Sequence, residues 1–135
     1  LLGPDDPICA GAADALLELG IPSVGPRKEV AQLEGSKSFT RALLKKYDIL
    51  GNPLYKSFSS EEGMQKFAEG CGNIVVKADG LCGGKGVRVQ GDHSSTCEEG
   101  IAYAKEYLEQ DGKVILEEKL IGQEFSLLFF SDGKH

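Results

Sequence analysis

Four glycines and two lysines fall within ten residues of the stretch from Ile74 to Gln90, IVVKADGLCGGKGVRVQ. Gly80, Gly83, Gly84 and Gly86 lack a Cβ, so the chain there can take positive φ angles and bring backbone N–H groups close to an anion. Lys77 precedes the loop and Lys85 lies within it, so two ammonium groups can flank one guest, each charge-assisted hydrogen bond contributing roughly 1.5–3 kcal/mol. Polyphosphate is the guest this chemistry fits. A plain β-hairpin turn is the simpler reading, yet it has no need of so many glycines, two lysines and so long a span.

Two familiar phosphate motifs do not match. A Walker A loop requires a glycine where Asp79 stands, and Ser or Thr where Gly86 follows Lys85. The dinucleotide fingerprint requires a third glycine where Val89 stands, and a helix rather than a strand after the loop. The apolar run Ile74, Val75, Val76 and the alternating Val87, Arg88, Val89 predict instead two strands that enter and leave the loop, a phosphate-binding hairpin.

Composition narrows the partners. The 135-residue chain holds 18 glycines, about twice the usual share, so much of the backbone must turn. A formal net charge of −6 argues against general nucleic-acid or membrane-surface binding while leaving room for a local basic pocket, which directs attention to small molecules. Cys9, Cys71, Cys82 and Cys97 are too widely spaced for a zinc or CxxC redox motif, and no signal peptide or apolar run of membrane-spanning length accompanies them. Reduced thiols in the cytoplasm are expected. Leu1-Leu2-Gly3-Pro4 reads as the tail of a strand and Asp132-Gly133 as a hairpin turn lacking its second strand, so the chain is expected to be part of a longer one.

The elements that position the loop follow from periodicity. Asp5 and Asp6 before Pro7, then Ile8, Ala12, Ala15, Leu16 and Leu19, predict one amphipathic helix ended by Gly20. Ile21 to Val24 reads as a short strand, and the order strand end, helix, strand fits the last βαβ unit of a doubly wound α/β domain. Val30, Leu33, Leu43 and Leu44 give a helical stripe from Glu29 to Tyr47, interrupted at Gly35-Ser36-Lys37. Glycine costs about 1 kcal/mol in a helix relative to alanine, so the interruption predicts two helices or a close backbone approach. Lys37 could then aim at a phosphate or simply face solvent.

Leu54 to Phe58 is a candidate strand, and Ser59-Ser60-Glu61-Glu62 a capping box for a helix that buries Met64, Phe67 and Ala68. Ser95 with Glu98, or Thr96 with Glu99, caps a second helix whose Ile101, Ala104 and Leu108 form its stripe up to Asp111-Gly112. Val114 to Leu116 and Phe125 to Phe130 are further strands. Residues 53 to 117 thus read as a small α+β lobe with helices on one face of an antiparallel sheet. Glu117, Glu118 and Glu124 gather after it, either as a charged surface turn or as acceptors for a base and a ribose. His93 and His135, the only histidines, are read as surface residues, and no Ser-His or Cys-His nucleophile is apparent.

QLEGSKSFTRALLKKYDI at 32–49, VVKADGLCGGKGV at 75–87, VILEEKLIGQEFSLLFFSDGKH at 114–135 and GPDDPICAGAADAL at 3–16 resemble the phosphoribosylamine–glycine ligases, members of the ATP-grasp superfamily. The resemblance covers nearly the whole chain. It implies the end of an amino-terminal Rossmann-like α/β domain at residues 1–26, a connecting helical segment at 27–52, the ATP-grasp small lobe at 53–120 and the start of the second lobe at 121–135. It implies an ATP-dependent ligase that joins glycine to 5-phosphoribosylamine through a glycyl phosphate. ATP and Mg2+ would be used, with the metal ligands beyond residue 135 and no catalytic side chain within this stretch.

By the same resemblance Lys37 and Lys77 contact phosphates, and Gly83, Gly84, Lys85 and Gly86 form a flap over them. Glu117 faces the adenine amino group, the backbone of Glu118 and Leu120 reads the adenine edge, and Glu124 holds the ribose. Three departures stand out: Asp5 where the family has Glu, Cys82-Gly83 where it has small alanines, and a shorter connection between Gln110 and Val114. The residues alone also admit another ATP-grasp ligase or carboxylase, a non-catalytic nucleotide-binding module, or a purely structural fragment.

Overall fold

The computed structural model describes residues 1–129 and 131. Its centre is a four-stranded antiparallel sheet in the order β1-β4-β2-β3, built from β1 (Tyr55–Phe58), β2 (Ile74–Ala78), β3 (Val87–Val89) and β4 (Val114–Glu118). The glycine-rich stretch is the expected hairpin, with Val75 opposite Val89 and Lys77 opposite Val87. Alternation along the strands divides the residues between two faces. Phe58, Ile74, Val76, Val114 and Leu116 pack with Met64 and Ala68 of helix α5 (Met64–Cys71) and with Ile101 and Ala104 of helix α6 (Cys97–Asp111). Gly100 lets α6 settle on β2, since a Cβ there would stand 2.9 Å from Ile74 Cδ1. The predicted α+β lobe is therefore present, with both helices on one side.

The opposite face carries the chemistry. Val75 pairs with Glu117, Lys77 with Ile115, and Tyr55 with Glu117, so Lys77 and Glu117 are diagonal neighbours on that face. Two more helices, α3 (Lys28–Gly35) and α4 (Lys37–Lys46), replace the single interrupted stripe. They part at Ser36, whose hydroxyl caps α4 by accepting from the Phe39 N–H at 3.2 Å. Close approach operates here as well, because a Cβ on Gly35 would lie 2.9 Å from Cys9 Sγ.

Several expected elements differ. The helix over residues 5–19 is two helices, α1 (Asp5–Ala10) and α2 (Ala12–Glu18), hinged at Gly11 with φ 104°. The break shifts the phase of the stripe, so Ala13 is buried while Ala15 and Leu19 are exposed. Ile21 to Val24 forms no strand, and a single bond from Leu2 N to Val24 O at 2.9 Å links that segment to the residues ahead of α1. Pro22 has no N–H to offer a ladder and Gly25-Pro26 follows at once. Val30 and Leu33 are exposed, and Ala31 is the residue α3 buries.

The Ser59–Glu62 capping box does not form, because α5 starts after Gly63, which takes φ 77° as its N-cap. Thr96 does cap α6, its Oγ1 accepting from Glu99 N at 3.2 Å, while Glu99 accepts from Ser95 N at 2.6 Å. Phe125 to Phe129 forms no strand and its large side chains are exposed, for no neighbouring strand pairs with it among the described residues. Phe130, the Asp132-Gly133 turn and His135 lie outside the described residues.

Candidate functional site

Two adjoining clefts share Val87 as their common wall. The first, about 230 Å³, is lined by Lys37 at the start of α4 and by Gly80, Gly83, Gly84 and Gly86 of the hairpin loop. The second, about 290 Å³, has apolar walls from Val75, Val87, Val89 and Leu120, and polar edges from Arg41, Lys77, Glu117, Glu118 and Glu124. Nine of the ten sequence-selected residues therefore line one cleft or the other. Lys85 lines neither; it is exposed, and its carbonyl accepts from the Tyr107 hydroxyl at 3.2 Å.

Asp79 fastens the base of the loop to α4. Its carboxylate accepts from Ser38 N at 3.1 Å, Ser38 Oγ at 2.6 Å and Ser36 Oγ at 3.2 Å, with Lys113 Nζ at 3.4 Å. The negative charge sits at a helix N-terminus, where the macrodipole favours it. Burial opposes ionisation of Asp79, but the Ser38 bonds, Lys113 and Ser36 together outweigh it and hold the carboxyl below its ordinary range. Beside it, Lys37 Nζ donates to Gly80 O at 2.5 Å. The lysine at the start of α4 is thus aimed into the loop rather than into solvent.

The second cleft is organised around Glu117, whose residue is only 2% exposed. Arg41 Nε donates to Oε1 at 2.5 Å and Nη2 to Oε2 at 2.9 Å, while Lys77 Nζ stands 2.7 Å from Oε2. Burial alone would raise the carboxyl's pKa; the hydrogen bonds from Arg41 and Lys77 and their charges overcome it and lower the value. Glu118 Oε1 accepts from Leu54 N at 2.8 Å, and Lys119 Nζ donates to Gln90 O at 2.9 Å and Asp92 at 3.0 Å. These bonds fix the rim between the end of β4 and the segment after β3.

Arg41, Asp79 and Lys113 are the residues that sequence reasoning did not select. Arg41 carried a usable signal: it stands four residues after Lys37, on the same helical face. Lys113 carried none, since nothing in its local sequence brings it to Asp79. Among the described residues no group of three or more His, Cys, Asp or Glu is placed to hold a metal ion. Of the carboxylates that line the clefts, Glu117 is engaged by two cations and Glu118 by a backbone N–H, so neither is free to hold Mg2+. All four cysteines are free, and His93 is exposed, its Nδ1 accepting from Val89 N at 3.2 Å.

The loop is closely fitted at Gly86. A Cβ there would stand 2.6 Å from Cys82 Cβ and 2.7 Å from Cys82 Sγ. Gly86→Ala is therefore expected to displace Cys82 and break the Lys85 N to Cys82 O turn, now 3.0 Å, lowering stability by about 1–3 kcal/mol. Thermal melts of Gly86→Ala alone and with Cys82→Gly check this. The second change removes the two nearest atoms, leaving Ala78 Cβ at 3.2 Å, and should recover most of the loss.

The phosphoribosylglycinamide synthetase ATP-grasp (A) domain model matches residues 35–135. A phosphoribosylamine–glycine ligase from Methanosarcina barkeri is 47% identical over 133 residues, covering 98% of this chain and 30% of that protein. One from Methanococcus vannielii is 47% identical over 143 residues, covering 100% and 32%. The chain spans about 30% of the length of the curated relatives it matches. Among solved structures, a phosphoribosylamine–glycine ligase from Thermotoga maritima aligns with TM-score 0.60 and 32% identity, over 73% of this chain and 26% of that one. D-alanyl-alanine synthetase A from Vibrio cholerae aligns with TM-score 0.68 over 84% of this chain and 34% of that one, at 19% identity, a likeness of fold alone. With its antiparallel lobe, its glycine-lysine hairpin and this match over residues 35–135, the chain belongs to the phosphoribosylglycinamide synthetase ATP-grasp family.

Proposed function

We propose that this chain carries the nucleotide-binding elements of an ATP-dependent ligase that joins glycine to 5-phosphoribosylamine, giving glycinamide ribonucleotide, ADP and phosphate in purine biosynthesis in the cytoplasm. The observation that carries this reading is the convergence of Lys37, Lys77 and the hairpin glycines on two clefts with a common wall, one glycine-lined with Lys37 beside Asp5 and Glu34, the other with apolar walls and a charged rim. The base and ribose fill the second cleft against Val75, Val89 and Leu120. Backbone groups of Glu118 and Leu120 read the adenine edge, Glu117 faces its amino group, and Glu124 holds the ribose. The phosphates extend from Lys77 in the second cleft past Val87 to the first, where Lys37 and the loop N–H groups hold them.

In the reaction a glycine carboxylate oxygen attacks the γ-phosphorus and ADP leaves. The amine of 5-phosphoribosylamine then attacks the acyl carbon of glycyl phosphate, and inorganic phosphate departs with the C–O electron pair. Lys37 and Lys77 orient the polyphosphate and stabilise its charge. Gly83, Gly84, Lys85 and Gly86 close as a flap, keeping water from the acyl phosphate. Mg2+ would supply positive charge at the nucleotide's phosphates; among the described residues no group of three or more His, Cys, Asp or Glu is placed to hold it. Residues 1–26 complete the preceding α/β domain, residues 27–52 connect, 53–120 form the small lobe, and 121–135 begin the second lobe. Small molecules are the partners; no described helix is long and apolar enough to cross a membrane.

Glycine and 5-phosphoribosylamine are the substrates to offer the full-length protein with Mg-ATP. Release of ADP that requires both is the expected result. ADP release with a different carboxylate and amine, or none with any pair, would overturn the assignment.

A further inference from the structure

We propose that Arg41 is a positioning residue for Lys77: its two-point hold on Glu117 leaves the Lys77 ammonium free to move onto a polyphosphate. The inference rests on the nucleotide-binding reading above and deepens it.

The geometry is asymmetric. Glu117 Oε1 is held by Arg41 Nε, and Oε2 is shared by Arg41 Nη2 at 2.9 Å and Lys77 Nζ at 2.7 Å. If a phosphate takes Lys77, the carboxylate therefore keeps two hydrogen bonds from one planar guanidinium. Without Arg41 the same movement would strand a carboxylate that is 3% exposed, a state that is costly for a buried charge. Lys77 would then remain pinned to Glu117.

Charge counting points the same way. Arg41, Lys77 and Glu117 together carry one net positive charge, and Arg41 cannot lose its proton. Remove Arg41 and the Lys77–Glu117 pair that remains is neutral. The side-chain types suit the division of labour. A guanidinium fork fixes a carboxylate, whereas an ammonium on a flexible stem can change partners. Arg41 is anchored for this task, its carbonyl accepting from Asn52 Nδ2 at 3.2 Å.

The test is calorimetric titration of the full-length polypeptide and its variants with Mg-ATP and, separately, adenosine. Arg41→Met should weaken Mg-ATP binding about tenfold or more, while adenosine affinity changes by less than about threefold. Adding Glu117→Gln removes the charge that pins Lys77; because Glu117 also faces the adenine, the readout is the ratio of Mg-ATP to adenosine affinity, which should return to within about threefold of the parent's. A purely structural arginine would behave differently: ATP and adenosine would weaken together, and neither substitution would move the ratio of their affinities. Either result overturns this inference alone. Absence of Mg-ATP binding in the parent would overturn the nucleotide reading and this inference with it. Should Arg41→Met fail to fold, Arg41→Lys keeps a single-point cation, and an intermediate loss that Glu117→Gln reverses is expected; no loss, or no reversal, refutes the idea.

Discussion

Replacing Glu117 by alanine is expected to destabilise the fold by about 3 kcal/mol, the lower end of what removing one member of a buried ion pair costs. Arg41 and Lys77 would lose their shared carboxylate on a face where their side chains are only 20% and 21% exposed. That residual access to water is why the lower end applies. Urea unfolding of the parent and the variant measures the difference. A loss under about 1 kcal/mol would place the cluster among ordinary surface salt bridges.

Acid should reach the same contacts by protonation. Burial raises the Glu117 pKa, but the Arg41 and Lys77 bonds prevail and hold it below its ordinary value of 4.5. A folded value below the unfolded one means the contribution is complete above about pH 4.5 and is lost as pH falls through the folded value. Asp79, also lowered, adds in the same direction. The melting temperature should therefore be insensitive to these groups between about pH 7 and 5 and decline below that range. Glu117→Gln should make the acid decline shallower; an unchanged slope would show that other carboxylates govern it.

Lys77→Ala is expected to weaken Mg-ATP binding about tenfold or more, a loss of about 1.4 kcal/mol or greater. Lys77 lines the second cleft, on the strand that enters the loop and opposite Val87, the wall both clefts share, and no other cationic side chain lies diagonal to Glu117 across β2 and β4. The fold should tolerate the change, because Glu117 keeps both Arg41 bonds. Circular dichroism checks the fold and calorimetry the affinity. Equal affinities in a folded variant would remove Lys77 from the phosphate site.

The small lobe was legible because its signals are local. An apolar run gave β2 and alternation β3, glycine spacing gave the hairpin, and one of the two caps read there, Thr96 with Glu99, starts α6. The amino-terminal helix misled because its stripe runs continuously across Gly11, where only the left-handed φ reveals a hinge. Ser59 to Glu62 misled because a side-chain cap competes with Gly63, and the glycine begins the helix. Phe125 to Phe129 has the composition of a strand, but pairing is a property of two segments. At the site, Lys37 and Lys77 were readable from residue type and family motif. Arg41 and Lys113 were not selected, because each meets its carboxylate through contacts some 76 and 34 residues distant in sequence.

The strand order has a further consequence for how the molecule comes into being. During synthesis the ribosome delivers β1, β2 and β3 well before β4, and yet among the described residues β1 has no hydrogen-bonded strand neighbour except β4. A nascent chain that has emerged only as far as α6 can form the β2–β3 hairpin but cannot attach β1 to it. Insertion of the last strand joins the two halves of the sheet, and the same event carries Glu117 between Arg41 and Lys77. Completion of the lobe and assembly of its charged cluster are therefore one step, late and long-range.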